Sequence, residues 1–173
     1  MPVDMLVPNP ELRKVNTQIL SDLGWLQGTF HVPQHQALMD FFASGVHLMK
    51  CTRVRLPGQK ELIPFLAIRR EMVALVQPTL PDELVEAPGS IGRTIPRKVE
   101  CFLLQGQLRG NLEVLVNVRV SDYLRQQPNL LVLRECVFHP YGVAADSAQI
   151  RRMPLAIVNT ARALGVAEHD AAQ

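Results

Sequence analysis

Between residues 13 and 19 apolar and polar positions alternate. Val15, Thr17 and Ile19 fall on one face, with Asn16 and Gln18 on the other, the period of a strand that buries one side. Ser21-Asp22-Leu23-Gly24 reads as a turn, and 25–32 as a second strand that Pro33 ends, so the two predict a hairpin. The spacing then changes. Leu38, Phe41 and Phe42 stand at i, i+3 and i+4 and predict a short helix over 36–43, with Gly45 as its stop. Strand patterning returns at 47–56 and closes at Pro57-Gly58-Gln59. Segments 62–68 and 72–76 predict another hairpin around the polar tip Arg69-Arg70-Glu71. The order over 13–77 is β-β-α-β-β-β, behind an extended, proline-bearing arm at 1–12.

The same order is expected a second time. Gly28 and Gly110 are 110 − 28 = 82 residues apart, as are Asp40 and Asp122. Val54 and Val137 are 83 apart, which suggests one residue inserted near Pro128. Leu66-Ala67-Ile68 matches Leu155-Ala156-Ile157 at an offset of 89. Strands are expected at 98–104 and 108–116. Taken alone, 154–165 reads as a helix with Pro at its start and Gly at its end. The repeat instead favours strands at 150–158 and 161–166 around a turn at Asn159-Thr160.

Between the units, 78–96 holds Pro78, Pro81, Pro88 and Pro96 with Gly89 and Gly92, a linker composition with room for one helical turn at 82–85. The expected fold is mainly β: two tandem β-β-α-β-β-β small barrels or sheets related by internal duplication, with short helices only. The units are 13–77 and 97–166, and 167–173 is a flexible tail. Closure into barrels would remove the open edges of a five-stranded sheet. Two barrels packed together and one shared sheet system are the alternatives.

Composition narrows the function classes. Hydrophobic content of 47% and charged content of 20% are those of a folded domain. A net charge of +2 advertises neither nucleic acid nor an acidic membrane. No apolar run reaches the ~18 residues of a membrane span, and no signal peptide is visible, so a cytoplasmic location without membrane insertion is expected. Three cysteines without CxxC spacing argue against a disulfide framework.

The motifs that could carry chemistry each have a plainer reading. His31 and His35 have helical metal spacing, but Pro33 lies between them and no third ligand is apparent. Cys51, Cys101 and Cys136 sit in apolar runs and read as core thiols. Under the offset of 83, Cys51 matches Arg134 and Cys136 matches Arg53. Asp40 and Asp122 form a repeated acidic pair, best placed at helix starts, with Ser121-Asp122 suited to capping. Phosphate-loop glycine motifs are absent. No cofactor and no metal are expected. The pairs Arg53/Arg55, Arg69/Arg70 and Arg151/Arg152 could line one face, but nine aromatic residues, mostly core candidates, leave few for base stacking.

The runs Gly28 to Pro33, Leu38 to Phe42, Leu48 to Pro57 and Pro64-Phe65-Leu66-Ala67-Ile68 resemble a small bacterial β-rich family of unknown function, and that resemblance implies no activity. More loosely, the element order is similar to Sm-like, OB-like and PilZ-like small barrels. The PilZ signature, an RxxxR run followed by a D/N-x-S-x-x-G strand, has no counterpart here. The function expected is a non-catalytic protein–protein interaction adaptor or regulatory subunit, for a bacterial signalling or polarity system. A small-barrel nucleic-acid-binding module is the alternative, and a homo-oligomer is left open. Candidate contact residues are Trp25, Arg69, Arg70, Arg151 and Arg152.

Overall fold

The computed structural model describes residues 11–79, 85–86, 92–126 and 129–169. Its elements are β1 (Leu12–Ser21), β2 (Gly24–Pro33), α1 (Leu38–Ala43), β3 (Leu48–Arg55), β4 (Ile63–Arg69), a first 3-10 turn (Arg70–Met72) and β5 (Val73–Pro78). Then follow β6 (Thr94–Leu103), β7 (Gly106–Leu115), α2 (Val120–Gln126), β8 (Leu130–Pro140), β9 (Arg151–Asn159), a second 3-10 turn (Thr160–Arg162) and β10 (Ala163–Glu168). All ten strands form one antiparallel sheet in the order β10-β6-β7-β8-β9-β5-β1-β2-β3-β4. The expected closure into two barrels does not occur. β5 and β9 join the halves directly, with Leu75 opposite Val158 and Val76 opposite Ile157.

The central strands are buried on both faces, because neighbouring residues of a strand point to opposite sides. Ala156 and Val158 enter a core with Leu108, Leu133 and Phe138. Ile157, between them, enters the other core, with Phe30, Phe42 and Met49. Each half therefore curls over its own core, on opposite faces of the shared sheet. A bulge sets the change of face in β5. Ser21 pairs with Val73 and Leu20 with Leu75, leaving Ala74 unpaired, and Ala74 and Leu75 then share one core while Val73 and Val76 share the other.

Strand positions follow the alternation, but two connections differ from it. Segments 62–68 and 72–76 are strands that do not pair with each other. The tip Arg70–Met72 is a 3-10 turn that carries β5 across to β1, and Thr160–Arg162 does the same for β10 and β6. Residues 154–165 are two strands, not a helix. Ala167 and Glu168, expected in a flexible tail, pair with Glu100 and Val99 in β10. β5 runs to Pro78, and Pro96 lies inside β6, so both margins of the expected linker are strand. Most of the 1–12 arm, the turn proposed at 82–85 apart from Val85, and Pro128 lie outside the described residues.

The ladders also correct the expected register. In each half a bulge places two residues opposite one glycine: Arg53 and Val54 opposite Gly28, Glu135 and Cys136 opposite Gly110. Arg53 (φ 53°) and Glu135 (φ 51°) are the described non-glycine residues in the left-handed region. Since 135 − 53 = 82, no insertion near Pro128 is required. Beyond β8 the correspondence is 90. Pro64 falls on Pro154, and Arg70 on Thr160, 160 − 70 = 90. The extra residues lie in the β8–β9 connection, and Cys51 corresponds to Leu133, not to Arg134.

Candidate binding clefts

The bulged ladders open a concavity in each half. Above Gly110 the cleft measures about 550 Å³ and is lined by Lys98, Arg109, Asn111, Glu135 and His169 among others. Above Gly28 it measures about 280 Å³, with Gln18, Gln27, Thr29, Arg53 and Arg55 in its wall. Glycine is needed under each bulge. A Cβ on Gly28 would overlap the Cys51 sulfur, and one on Gly110 would press on Cys136 Sγ at 3.0 Å and Leu133 Cβ at 3.1 Å.

The second-half cleft is built on a buried acid. Glu100 is 4% exposed. Its Oε1 accepts from Arg109 Nε at 2.8 Å, and its Oε2 meets His169 Nε2 at 2.8 Å. Burial alone would raise this carboxyl, but the hydrogen bonds and charges of Arg109 and His169 hold it below the usual glutamate value. Across the cleft Asn111 Nδ2 donates to Glu135 Oε2 at 2.6 Å. Glu100 is answered by Arg109 and His169, while Glu135 is held by a neutral amide and Lys98 stands exposed.

A lowered carboxyl contributes stability above its unfolded pKa and loses it as pH falls through the folded one. Arg109 and His169 remain half exposed, which limits the contribution. Glu100→Gln is expected to cost about 1–2 kcal/mol at neutral pH. The gap between wild type and variant, measured by denaturant unfolding, should close below the ordinary glutamate range. A constant gap down to strongly acidic pH would show that the ion cluster is not its origin.

The first-half cleft has a different balance. Counting by 82, Gln18 stands where Glu100 does, Gln27 where Arg109 does, and Arg53 where Glu135 does. Thr17 Oγ1 donates to the Gly28 carbonyl at 3.0 Å and Thr29 Oγ1 to Asn16 Oδ1 at 2.7 Å, fixing a neutral polar floor. Arg53 and Arg55 are exposed on β3, and among the described residues neither has a carboxylate partner. Among the described residues no Phe, Tyr or Trp lines either cleft.

The five residues singled out in the sequence do not converge on one surface. Arg151 lies 4.3 Å over the Trp25 ring, which meets Phe138 edge-on at 5.6 Å; desolvation pushes the Arg151 guanidinium down from its ordinary value. Arg70 Nη1 donates to the Phe42 carbonyl at 3.2 Å, tying the first 3-10 turn to α1. Arg69 meets Glu71 at 3.5 Å on the surface, and Arg152 is exposed. His31 bonds Thr52 Oγ1 at 2.8 Å and His35 is exposed. All three cysteines are free and buried, their thiols pushed up to about 12 by desolvation, so none is a ready nucleophile. Asp40 and Asp122 lie in the first turns of α1 and α2; Ser121 is inside its helix, not at the cap.

The Glu100 cluster escaped sequence reading because Arg109 and His169 lie 9 and 69 residues away along the chain. Its one signal was an acid set within the apolar run Val99 to Leu103. Among the described residues no helix is long and apolar enough to cross a membrane. Comparisons with protein-family models, curated proteins and solved structures find no match for this ten-stranded β protein.

Proposed function

We propose that the chain is a non-catalytic adaptor or regulatory subunit that holds an acidic segment of a partner protein in the first-half cleft. The observation that carries this reading is the pair Arg53 and Arg55, aimed from a bulged strand over a neutral polar floor, without a carboxylate among the described lining residues. A non-glycine residue in the left-handed region is strained by about 1 kcal/mol or more, and the strain places the Arg53 guanidinium over the cleft. Two arginines can each take a carboxylate in bidentate fashion. We infer further that the halves descend from one duplicated unit. The recurring element order and the bulges spaced by 82 support that descent, and it gives the clefts a common origin with diverged charge: one neutralised internally, one left cationic.

The test uses a polyglutamate peptide and a single-stranded oligonucleotide of equal charge. The peptide is expected to bind, and Arg53→Ala/Arg55→Ala to weaken it by about tenfold to a hundredfold. A protein retained from native-cell extract by the wild type should be lost with the double variant. Tight oligonucleotide binding with a steep salt dependence, and none of the peptide, would favour the nucleic-acid alternative. The bare cleft walls argue against that outcome, since single-strand binders stack bases on aromatic rings.

A further inference from the structure

The junction between the halves is made of unlike parts. One half contributes β5 and the β1–β2 turn; the other contributes β9, the second 3-10 turn and the β6–β7 turn. Beside the β5–β9 ladder, Asn159 Nδ2 donates to the Val73 carbonyl at 3.0 Å and Gln105 Nε2 to the Ser21 carbonyl at 3.0 Å. Arg162 pairs with Asp22. Because the element order recurs, each half owns both parts, and only one of each is used. β10 is the unused counterpart of β5, and β4 that of β9. A two-fold relation between the halves would have brought these two strands together. The sheet instead ends on them, at the two ends of its strand order, so the relation is head-to-tail and leaves two edges unpaired.

At three of the junction's four polar positions the unused ends carry apolar side chains; the fourth, Asn159, falls on Arg69. A shift of 82 takes Asp22 to Leu104 and Gln105 to Leu23, and a shift of 90 takes Arg162 to Met72 and Ala74 to Leu164. Leu164 is 95% exposed, Leu104 72%, Leu23 71% and Met72 38%. Leu104, Leu164, Phe102 and Tyr141 border a concavity of about 450 Å³ at the β10 end. No charged residue interrupts 63–68 or 163–167.

Edge strands are commonly protected by proline or by bulges. Both occur here, Pro64 in β4 and the bulge at Leu164 in β10. Yet the internal junction forms with Pro154 and the Ala74 bulge at the corresponding places. These devices therefore limit the pairing to a short stretch and do not prevent it.

We propose that the chain associates head-to-tail with a second copy of itself, the β10 edge of one against the β4 edge of the next. Gly165 then lies opposite Ile68 of the second copy and Val166 opposite its Ala67, in the register of Leu75–Val158 and Val76–Ile157. Leu104 and Leu164 pack against Met72 and Leu23 of that copy. Repetition of the contact gives open chains or a ring.

Sedimentation velocity over a micromolar to sub-millimolar series tests this with the full chain. The wild type is expected to grow beyond a dimer. Leu104→Asp/Leu164→Asp blocks one end and Leu23→Asp/Met72→Asp the other; each alone should weaken self-association by about tenfold or more. An equimolar mixture of the two should recover a 1:1 complex through the intact ends, with melting temperatures confirming that both fold. A monomeric wild type at the highest concentration would mean that the edges take another occupant, a different protein or residues of the chain's own termini, and overturns the proposal. So does self-association that survives both blocks, or a mixture that fails to pair, which is the behaviour of a two-fold dimer.

Discussion

Gly106→Ala is expected to lose about 3 kcal/mol of stability and to melt well below the wild type. Gly106 opens β7 and pairs with Pro140 of β8. A Cβ there would overlap the His139 carbonyl oxygen and stand 2.8 Å from Phe138 Cζ and 2.9 Å from Pro140 Cα. Two of these three atoms are backbone in a paired strand, so no rotamer change relieves them. The sheet must part locally, and Phe138, 1% exposed and in contact with Trp25, must move with it. Gly165→Ala is the internal control. Among the described residues nothing lies within 4 Å of its added Cβ, and lowering the entropy of the unfolded chain should leave stability unchanged or raise it by about 0.5 kcal/mol. Equal melting of the Gly106 and Gly165 variants would show that the β7–β8 approach is looser than described.

The strands of this protein were legible, and so was the β1–β2 hairpin; the pairing of β5 was not. Alternation such as Val15-Asn16-Thr17-Gln18-Ile19 is a local property of a strand with one buried face. The path of β5 is different: it is settled by Val73 to Val76 being apolar on both faces, which lets β5 lie between β1 and β9 under two cores. Burial on both faces shows in sequence only as a short apolar run, and Arg69-Arg70-Glu71 before it read as a hairpin tip. Barrel closure failed as an expectation for the same reason, since the partner that covers the outer edge of β5 lies 83 residues away, from Leu75 to Val158. The clefts were half visible. Arg53 and Arg55 stood out as a pair, but their aim depends on a left-handed arginine that no glycine or asparagine announces. The offset of 83 between Val54 and Val137 came from matching like residues, and ladder geometry moves it to 82.

Trp25→Ala is expected to destabilise the fold by about 2–3 kcal/mol, a cost of structure and not of contact with a partner. As a lone tryptophan near a turn, Trp25 reads in sequence as an exposed anchor. In the fold it is half buried, set at the start of β2 opposite Leu20, with its ring edge-on to Phe138 of the other half. The Arg151 guanidinium covers its face at 4.3 Å, a planar cation over an indole that is worth about 0.5–1 kcal/mol at a partly exposed site. Trp25→Phe keeps the edge-on packing and should recover most of the loss. Arg151→Lys keeps the charge but gives up the flat stacking surface, and a double-mutant cycle with Trp25 should return a coupling of about 0.5–1 kcal/mol. Because this is the only tryptophan of the chain, its emission reports the junction directly. A red shift on mild denaturation, before the bulk of the β signal is lost, would place the first opening where the halves meet. A Trp25→Ala protein that melts with the wild type, while losing a partner, would return this residue to the surface role that the sequence alone suggests.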